Sequence, residues 1–148
     1  MNYQVLTSID HTSYLVKKQI ADFLHLHLES YADKKTVIMK CLDYALSYFP
    51  HQGGYVVLAK DNDKITGAVV VTHTGMEGYI PANALVYLAV HKDYRREGIA
   101  TRLMKKAIRL AKGGISLRVA PDNPAFQLFE KLGFSHDYLE MRLYKKTY

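Results

Sequence analysis

The chain has 148 residues, of which 49% are hydrophobic and 23% charged, proportions typical of one soluble globular domain. Its single cysteine, Cys41, excludes an internal disulfide and a cysteine-based zinc site, and the spacing of the seven histidines predicts no metal site. The net charge of +6 favours an anionic partner, such as nucleic acid, an acidic membrane surface or a phosphate-bearing small molecule. We find neither a signal-peptide pattern nor an apolar run near the ~20 residues of a membrane-spanning helix, and therefore expect a cytoplasmic protein.

The first part of the chain predicts a short strand over residues 3–6, followed by two helices. Asp10 or Thr12 is the expected cap of the first helix, and the second helix begins after Asp33. Cys41 lies within the apolar stripe of the second helix. This position indicates a buried, inert thiol rather than a nucleophile.

Strand patterns prevail after Gly53 and Gly54. The predicted elements are strands at 55–59, 65–72 and 84–90, a helix at 98–112, a strand at 115–119, a short helix at 124–132 and a last strand at 138–145. We expect Gly113 and Gly114 to end the helix at 98–112. The order β-α-α-β-β-β-α-β-α-β, with room for one more strand near Phe134, predicts a mixed α/β sheet.

Residues 85–107, LVYLAVHKDYRREGIATRLMKKA, combine a buried strand, a basic loop and the start of an amphipathic helix. The first N–H groups of such a helix are unpaired and, together with the helix dipole, they form an anion site. Gly98 lacks a side chain, so a ligand phosphate can approach the backbone closely, and Ala100 is also small. The segment therefore predicts binding of a phosphate-bearing ligand.

Residues 95–100, RREGIA, fit the R/Q-x-x-G-x-G/A signature, and the chain resembles the GNAT superfamily of N-acetyltransferases. The strand–loop–helix context, the order of elements and a second motif at 125–134, AFQLFEKLGF, extend the resemblance. It implies one GNAT-like domain over residues 1–148, with a mostly antiparallel sheet of six to seven strands and helices on both faces. It also implies acetyl transfer from acetyl-CoA, a co-substrate, to a small-molecule or peptide amine by direct attack in a ternary complex, without a metal.

The resemblance also assigns cofactor-binding residues. Leu88, Ala89 and Val90 would lie along the pantetheine arm, with the Val90 amide as donor to the thioester oxygen. The pyrophosphate would be bound by Arg95, Arg96, Glu97, Gly98, Ile99, Ala100 and Thr101. In the second motif, Asn123 would contact pantetheine or bound solvent, and Phe129 stands where many members have a tyrosine that protonates the leaving thiolate.

The usual acid and base of the family are both missing, because Val86 occupies the position where many members have a glutamate base. Two explanations stay open: catalysis by positioning with the proton passing to water, or use of another group such as His73, Glu77 or Tyr138. His73 is also compatible with a solvent-facing histidine at a strand end, and Tyr138 with a strand-packing tyrosine. We favour these simpler interpretations.

The alternative function is a catalytically weak GNAT-like domain that binds CoA as a sensor or scaffold. We expect no nucleic-acid or membrane partner, because the basic residues of the anion-site segment lie mostly on the outer face of one helix. Monomer and homodimer both stay open. The acceptor is also undetermined, since four acidic residues could hold an ammonium group and nothing singles one out: Glu29, Asp33, Asp43 and Glu77.

Overall fold

The computed structural model describes residues 1–146, and the chain consists of two compact units, Met1–Arg118 and Val119–Tyr148. The first unit contains a five-stranded sheet and three α-helices, and the second contains one short α-helix. A single domain over residues 1–148 stays a prediction. Within residues 1–146, no helix is long and apolar enough to cross a membrane.

The sheet has the spatial order β1-β2-β3-β4-β5. Its strands are β1 (Asn2–Leu6), β2 (Gly54–Asp61), β3 (Lys64–His73), β4 (Asn83–Val90) and β5 (Ile115–Leu117). The pairs β1–β2, β2–β3 and β3–β4 are antiparallel, whereas β5 runs parallel to β4. The prediction of a mixed, mostly antiparallel sheet is therefore confirmed.

The predicted count of six to seven strands is not confirmed. Residues 138–145 form no strand in the described part of the chain, and Tyr138 is 93% exposed. The segment has apolar residues at alternate positions, namely Leu139, Met141 and Leu143. A strand also needs a neighbouring strand with which to form hydrogen bonds. An alternating pattern does not show that such a strand is present.

The first unit contains α1 (Tyr14–His27), α2 (Lys35–Ala45) and α3 (Ile99–Leu110), and the second contains α4 (Ala125–Lys131). Helix α1 is capped by Ser13, whose hydroxyl accepts from the Val16 amide at 3.3 Å, and not by Asp10 or Thr12. Asp10 instead accepts from the Thr7 amide, at 2.7 Å, in the capping box of a 3₁₀ turn at Ser8–Asp10.

Helices cover both faces of the sheet. On one face, α1 and α2 form the main core with alternate residues of the central strands, such as Ile20 and Leu42 against Ala68 and Val70. Cys41 is partly buried against this core, and burial raises the pKa of its thiol, which makes it a poor nucleophile.

Helix α3 packs on the opposite face of the sheet. This face is lined by the strand residues that alternate with those of the main core. Gly67 of β3 is the point of closest approach: a Cβ there would lie 2.8 Å from Leu103 Cδ1 and 2.9 Å from Ile99 Cγ2. The hydroxyl of buried Tyr55 donates to the Ala107 carbonyl at 2.6 Å. Gly67 pairs with Val90 of β4, so its close approach to Ile99 places the start of α3 beside the end of β4.

Candidate functional site

A cleft opens where β4 and β5 separate. β5 pairs with β4 only from Asn83 to Leu85, whereas β3 pairs with β4 as far as Val90. A register shift between Val70 and Val71 marks a bulge in the β3–β4 ladder beside this point. The cleft has a volume of about 340 Å³ and is lined by Ala84, Leu85, Val86, Ser116, Leu117 and Arg118.

Backbone donors of β4 point to the open edge of the sheet. The His91 amide donates to the Thr66 carbonyl at 2.8 Å, which makes the Gly67–Val90 pair a non-hydrogen-bonded pair of the antiparallel ladder. The amide and carbonyl of Val90 therefore point away from β3, to the side where β5 has already ended. Leu88, two residues earlier, has the same orientation.

The start of α3 has the backbone geometry on which the predicted anion site depends. Gly98 is the N-terminal flanking residue of α3, with φ +80, and the first helical bond runs from the Arg102 amide to the Gly98 carbonyl at 3.1 Å. The amides before Arg102 have no partner within the helix. A Cβ at Gly98 would meet nothing closer than 3.9 Å, so the space beside its Cα is open to a ligand. This open turn leaves room for an anionic group beside the unpaired amides.

The Arg95 side chain joins the loop to the end of α1 and is not directed at the start of α3. Its Nε donates to the Val90 carbonyl at 3.2 Å, its Nη2 donates to the His27 carbonyl at 3.0 Å, and its Nη1 lies 2.9 Å from Glu29 Oε1. Only the backbone of Arg95 is therefore available for the predicted pyrophosphate contact. Sequence reasoning missed the roles of Glu29 and His27, which depend on packing between distant segments.

His27 supports the same loop from inside the protein. It is buried, stacks on His91 with 4.2 Å between ring centroids, and its Nδ1 accepts from the Lys92 amide at 3.3 Å. Burial lowers the pKa of His27, and electrostatic interactions with His91, Arg95 and Lys92 lower it further. A neutral imidazole can accept the Lys92 hydrogen bond, whereas a protonated one cannot.

Comparison with known proteins identifies the family. Residues 52–136 match the family model described as Acetyltransferase (GNAT) domain. The chain belongs to the GNAT acetyltransferase family. The resemblance based on the RREGIA motif is therefore confirmed, and acetyl-CoA is the co-substrate of this family.

Individual relatives agree with the family assignment. The chain is 34% identical over 97 residues to N-alpha-acetyltransferase 30 of Schizosaccharomyces pombe, covering 62% of this chain and 65% of that protein. It is 28% identical over 143 residues to N-alpha-acetyltransferase 30 of Xenopus laevis, covering 93% of this chain and 50% of that protein. The chain thus spans less than two thirds of either relative.

A solved structure supports the GNAT fold. The ribosomal-protein-alanine N-acetyltransferase of Brucella melitensis aligns with a TM-score of 0.65 at 16% identity, over 99% of this chain and 100% of that one. At this level of identity the similarity concerns the fold alone.

The acid–base candidates of this GNAT protein do not line the cleft. His73 is exposed at the end of β3, and its carbonyl accepts from the Tyr44 hydroxyl at 3.1 Å. Glu77 is exposed in the loop between β3 and β4. Val86 does line the cleft. Among the described lining residues there is neither a carboxylate nor an imidazole.

The second unit contains the predicted second-motif residues. Asn123 Oδ1 accepts from the Ala125 amide at 3.0 Å, so this side chain organises the start of α4. Phe129 is buried and contacts Phe134 edge-on, with 5.8 Å between ring centroids. Tyr138 belongs to the same unit and is almost fully exposed. Within residues 1–146, no group of three or more His, Cys, Asp or Glu side chains could hold a metal ion.

Proposed function

We propose that this protein transfers the acetyl group of acetyl-CoA to an amine by direct attack in a ternary complex. The observation that supports this proposal is the succession of two backbone features along the chain. The Leu88 and Val90 amides point into the gap between β4 and β5, and the unpaired amides at the start of α3 follow shortly after Val90. Such a row of donors suits a pantetheine arm that ends in a pyrophosphate.

The residues proposed to bind the pyrophosphate act mainly through their backbone. The segment from Arg95 to Thr101 offers amides and the positive end of the α3 dipole, and Gly98 allows close approach. Each hydrogen bond to a charged oxygen contributes about 1.5–3 kcal/mol, so a few of them account for micromolar binding.

In the proposed reaction, the acceptor nitrogen bonds to the acetyl carbon, the thioester C–S bond breaks, and CoA leaves as a thiol. Acetyl-CoA supplies the activated acyl group. The Val90 amide donates to the carbonyl oxygen where negative charge develops, and loss of one such donor costs about 2.7–4 kcal/mol in other enzymes. The His91–Thr66 hydrogen bond holds that amide in place.

Proton transfer is assigned to water. Because the cleft lining has neither carboxylate nor imidazole among its described residues, the amine proton passes to solvent and the thiolate takes its proton from solvent. Orientation of the two substrates then supplies most of the catalysis, up to about 7–11 kcal/mol of the barrier. The names of the curated relatives make the α-amine of a peptide the first acceptor to test.

Two measurements test the proposal. Calorimetric titration with acetyl-CoA, and with desulfo-CoA for comparison, measures cofactor binding. Release of free CoA thiol is then followed in the presence of short peptides and small amines. Micromolar binding with amine-dependent release supports an acetyltransferase. Binding without release for any amine supports the sensor or scaffold alternative, and absence of binding refutes the proposed cofactor site.

A further inference from the structure

Two histidine side chains hold the loop that joins β4 to α3. His27 is the last residue of α1 and is buried, and His91 is the first residue after β4 and is partly buried. Their rings stack with 4.2 Å between centroids, and the ring of Phe23 lies 4.7 Å from that of His27. The stacked pair therefore joins the end of α1 to the start of the loop.

Each imidazole accepts a backbone hydrogen bond from the first residues of this loop. His27 Nδ1 accepts from the Lys92 amide at 3.3 Å. His91 Nδ1 accepts from the Asp93 amide at 3.1 Å. A ring nitrogen accepts only when it carries no proton, and an imidazolium carries a proton on both nitrogens. The geometry therefore requires both rings to be neutral, with the proton on Nε2.

The charged and titratable groups around the pair belong to the loop and to the turn after α1: Lys92, Asp93, Tyr94, Arg95 and Glu29. Glu29 is paired with Arg95 at 2.9 Å. The Asp93 carboxylate is 3.9 Å from His91 Nδ1, beyond hydrogen-bond distance. Burial lowers the pKa of His27, interactions with the three nearby basic groups lower it further, and Glu29 raises it. Positive charge on the stacked rings would therefore have little compensation.

The loop lies between the two backbone features that are proposed to bind acetyl-CoA. Val90 precedes it, and Gly98 follows it at the start of α3. On protonation, each Nδ1–H would point at a backbone N–H, so the bonds from Lys92 and Asp93 would be replaced by contacts between two donors. The loop would then move away from the rings, and the position of Gly98 relative to Val90 would change with it.

We propose that His27 and His91 are positioning residues for the acetyl-CoA site and that they hold its loop only while both rings are neutral. The inference rests on the proposed function and adds regulation of its cofactor site by pH. Acetyl-CoA binding should weaken as the pH falls. Simple charge attraction predicts the opposite, because a histidinium near a pyrophosphate would strengthen binding in acid. The direction of the pH dependence therefore distinguishes loop positioning from charge attraction.

Calorimetric titration with acetyl-CoA at several pH values tests the inference. Between about pH 7.5 and about pH 5.5 the Kd of the wild type should increase by about tenfold or more, because only the fraction with neutral rings binds. Circular dichroism at each pH defines the range in which the chain stays folded, and the titrations are made within that range. The phosphate groups of the ligand also titrate, and they do so equally for every variant.

Asparagine substitutions separate protonation from the hydrogen bonds themselves. The asparagine Oδ1 occupies the position of Nδ1 relative to Cγ and accepts a hydrogen bond without titrating. His27→Asn and His91→Asn should each lose part of the pH dependence, and the double variant should retain only that of the ligand. At about pH 7.5 the double variant should bind within about threefold of the wild type. His27→Leu, which has no acceptor, should bind more weakly by about fivefold or more.

His25→Gln is the matched control. His25 is an exposed histidine of the same helix, two residues before His27. Its ring nitrogen Nδ1 lies 3.1 Å from the Asp33 carbonyl and does not contact the loop pair. This variant should follow the wild type at every pH.

Nitrogen NMR of the imidazole rings tests the same assignment without a ligand. At neutral pH both rings should have an unprotonated Nδ1 and a protonated Nε2. On acidification, the Lys92 and Asp93 amides should lose protection from hydrogen exchange as the two acceptors are protonated.

Several results would overturn the inference. A protonated Nδ1 on either ring at neutral pH would do so, as would an acetyl-CoA affinity that is constant or increases on acidification. The same holds if the double variant keeps the full pH dependence of the wild type, or if His25→Gln loses as much of it. In these cases acetyl-CoA still binds and the proposed function stands. If acetyl-CoA binds at no pH, both the proposed function and this inference fail.

Discussion

Gly98 provides the sharpest test of the anion site, through the pair of variants Gly98→Glu and Gly98→Gln. Its φ of +80 is unfavourable for any other residue, by about 1–2 kcal/mol. A Cβ would have room, since the nearest atom is 3.9 Å away on Arg102, so backbone strain is the only folding cost. Both variants should therefore unfold at a temperature lower by about 2–8 °C, and equally so.

The glutamate and glutamine side chains differ mainly in charge, so charge should account for the difference in acetyl-CoA affinity between the two variants. A glutamate carboxylate about 8 Å from one phosphate charge costs roughly 2 kcal/mol at an effective dielectric of 20. Acetyl-CoA should therefore bind Gly98→Glu at least ~30-fold more weakly than Gly98→Gln. Both should bind more weakly than the wild type, because a side chain occupies the space beside the Gly98 Cα.

Calorimetric titration at low salt and at high salt is the assay. The difference between the glutamate and glutamine variants should shrink as salt increases, because ions screen the repulsion. Equal affinity of the two variants at low salt would refute the placement of the pyrophosphate at Gly98. Wild-type affinity in both variants would show that the ligand does not approach this turn at all.

Two further predictions concern stability. Gly67→Ala should lower the free energy of unfolding by about 1–3 kcal/mol in urea, because the new Cβ forces α3 away from β3; an unchanged value would contradict the close approach. The pKa of His27 lies below its usual 6.5, so the unfolded chain takes up the proton first and stability should fall as pH decreases below 6.5. Urea unfolding at several pH values should show a shallower decrease in His27→Gln than in the control His136→Gln, and parallel slopes would refute the assignment.

The backbone of the site could be predicted from sequence because several local signals agree there. An apolar strand, a glycine that tolerates positive φ and a helical repeat locate the end of β4 and the start of α3 within a residue or so. The far end of α3 was less predictable. The helix ends at Leu110, and Ala111 already has an extended backbone, although its amide still donates to the Ala107 carbonyl. Gly113 and Gly114, which were expected to end the helix, therefore lie beyond it.

Features that depend on the tertiary structure could not be predicted from local sequence patterns. Ser13, Thr12 and Asp10 all have capping side chains, and only the path of the chain into α1 decides that Ser13 is used. Likewise, Tyr87 is an ordinary inward-facing strand residue in the sequence. Its bond to Asp33 joins segments that are 54 positions apart, and no local pattern indicates that contact.

Arg95 shows how a motif can predict a backbone role and leave the side chain undetermined. The motif places Arg95 in the loop, but its guanidinium bonds to the His27 carbonyl, 68 positions away, and to Glu29. The same guanidinium bonds to the carbonyl of Val90, whose amide is the proposed oxyanion donor. The Arg95 guanidinium contacts both the end of α1 and the open edge of β4. We therefore expect a displacement of Glu29 to move Val90 and the loop together. The end of α1 is thereby joined to the open edge of β4, although the two are far apart in sequence.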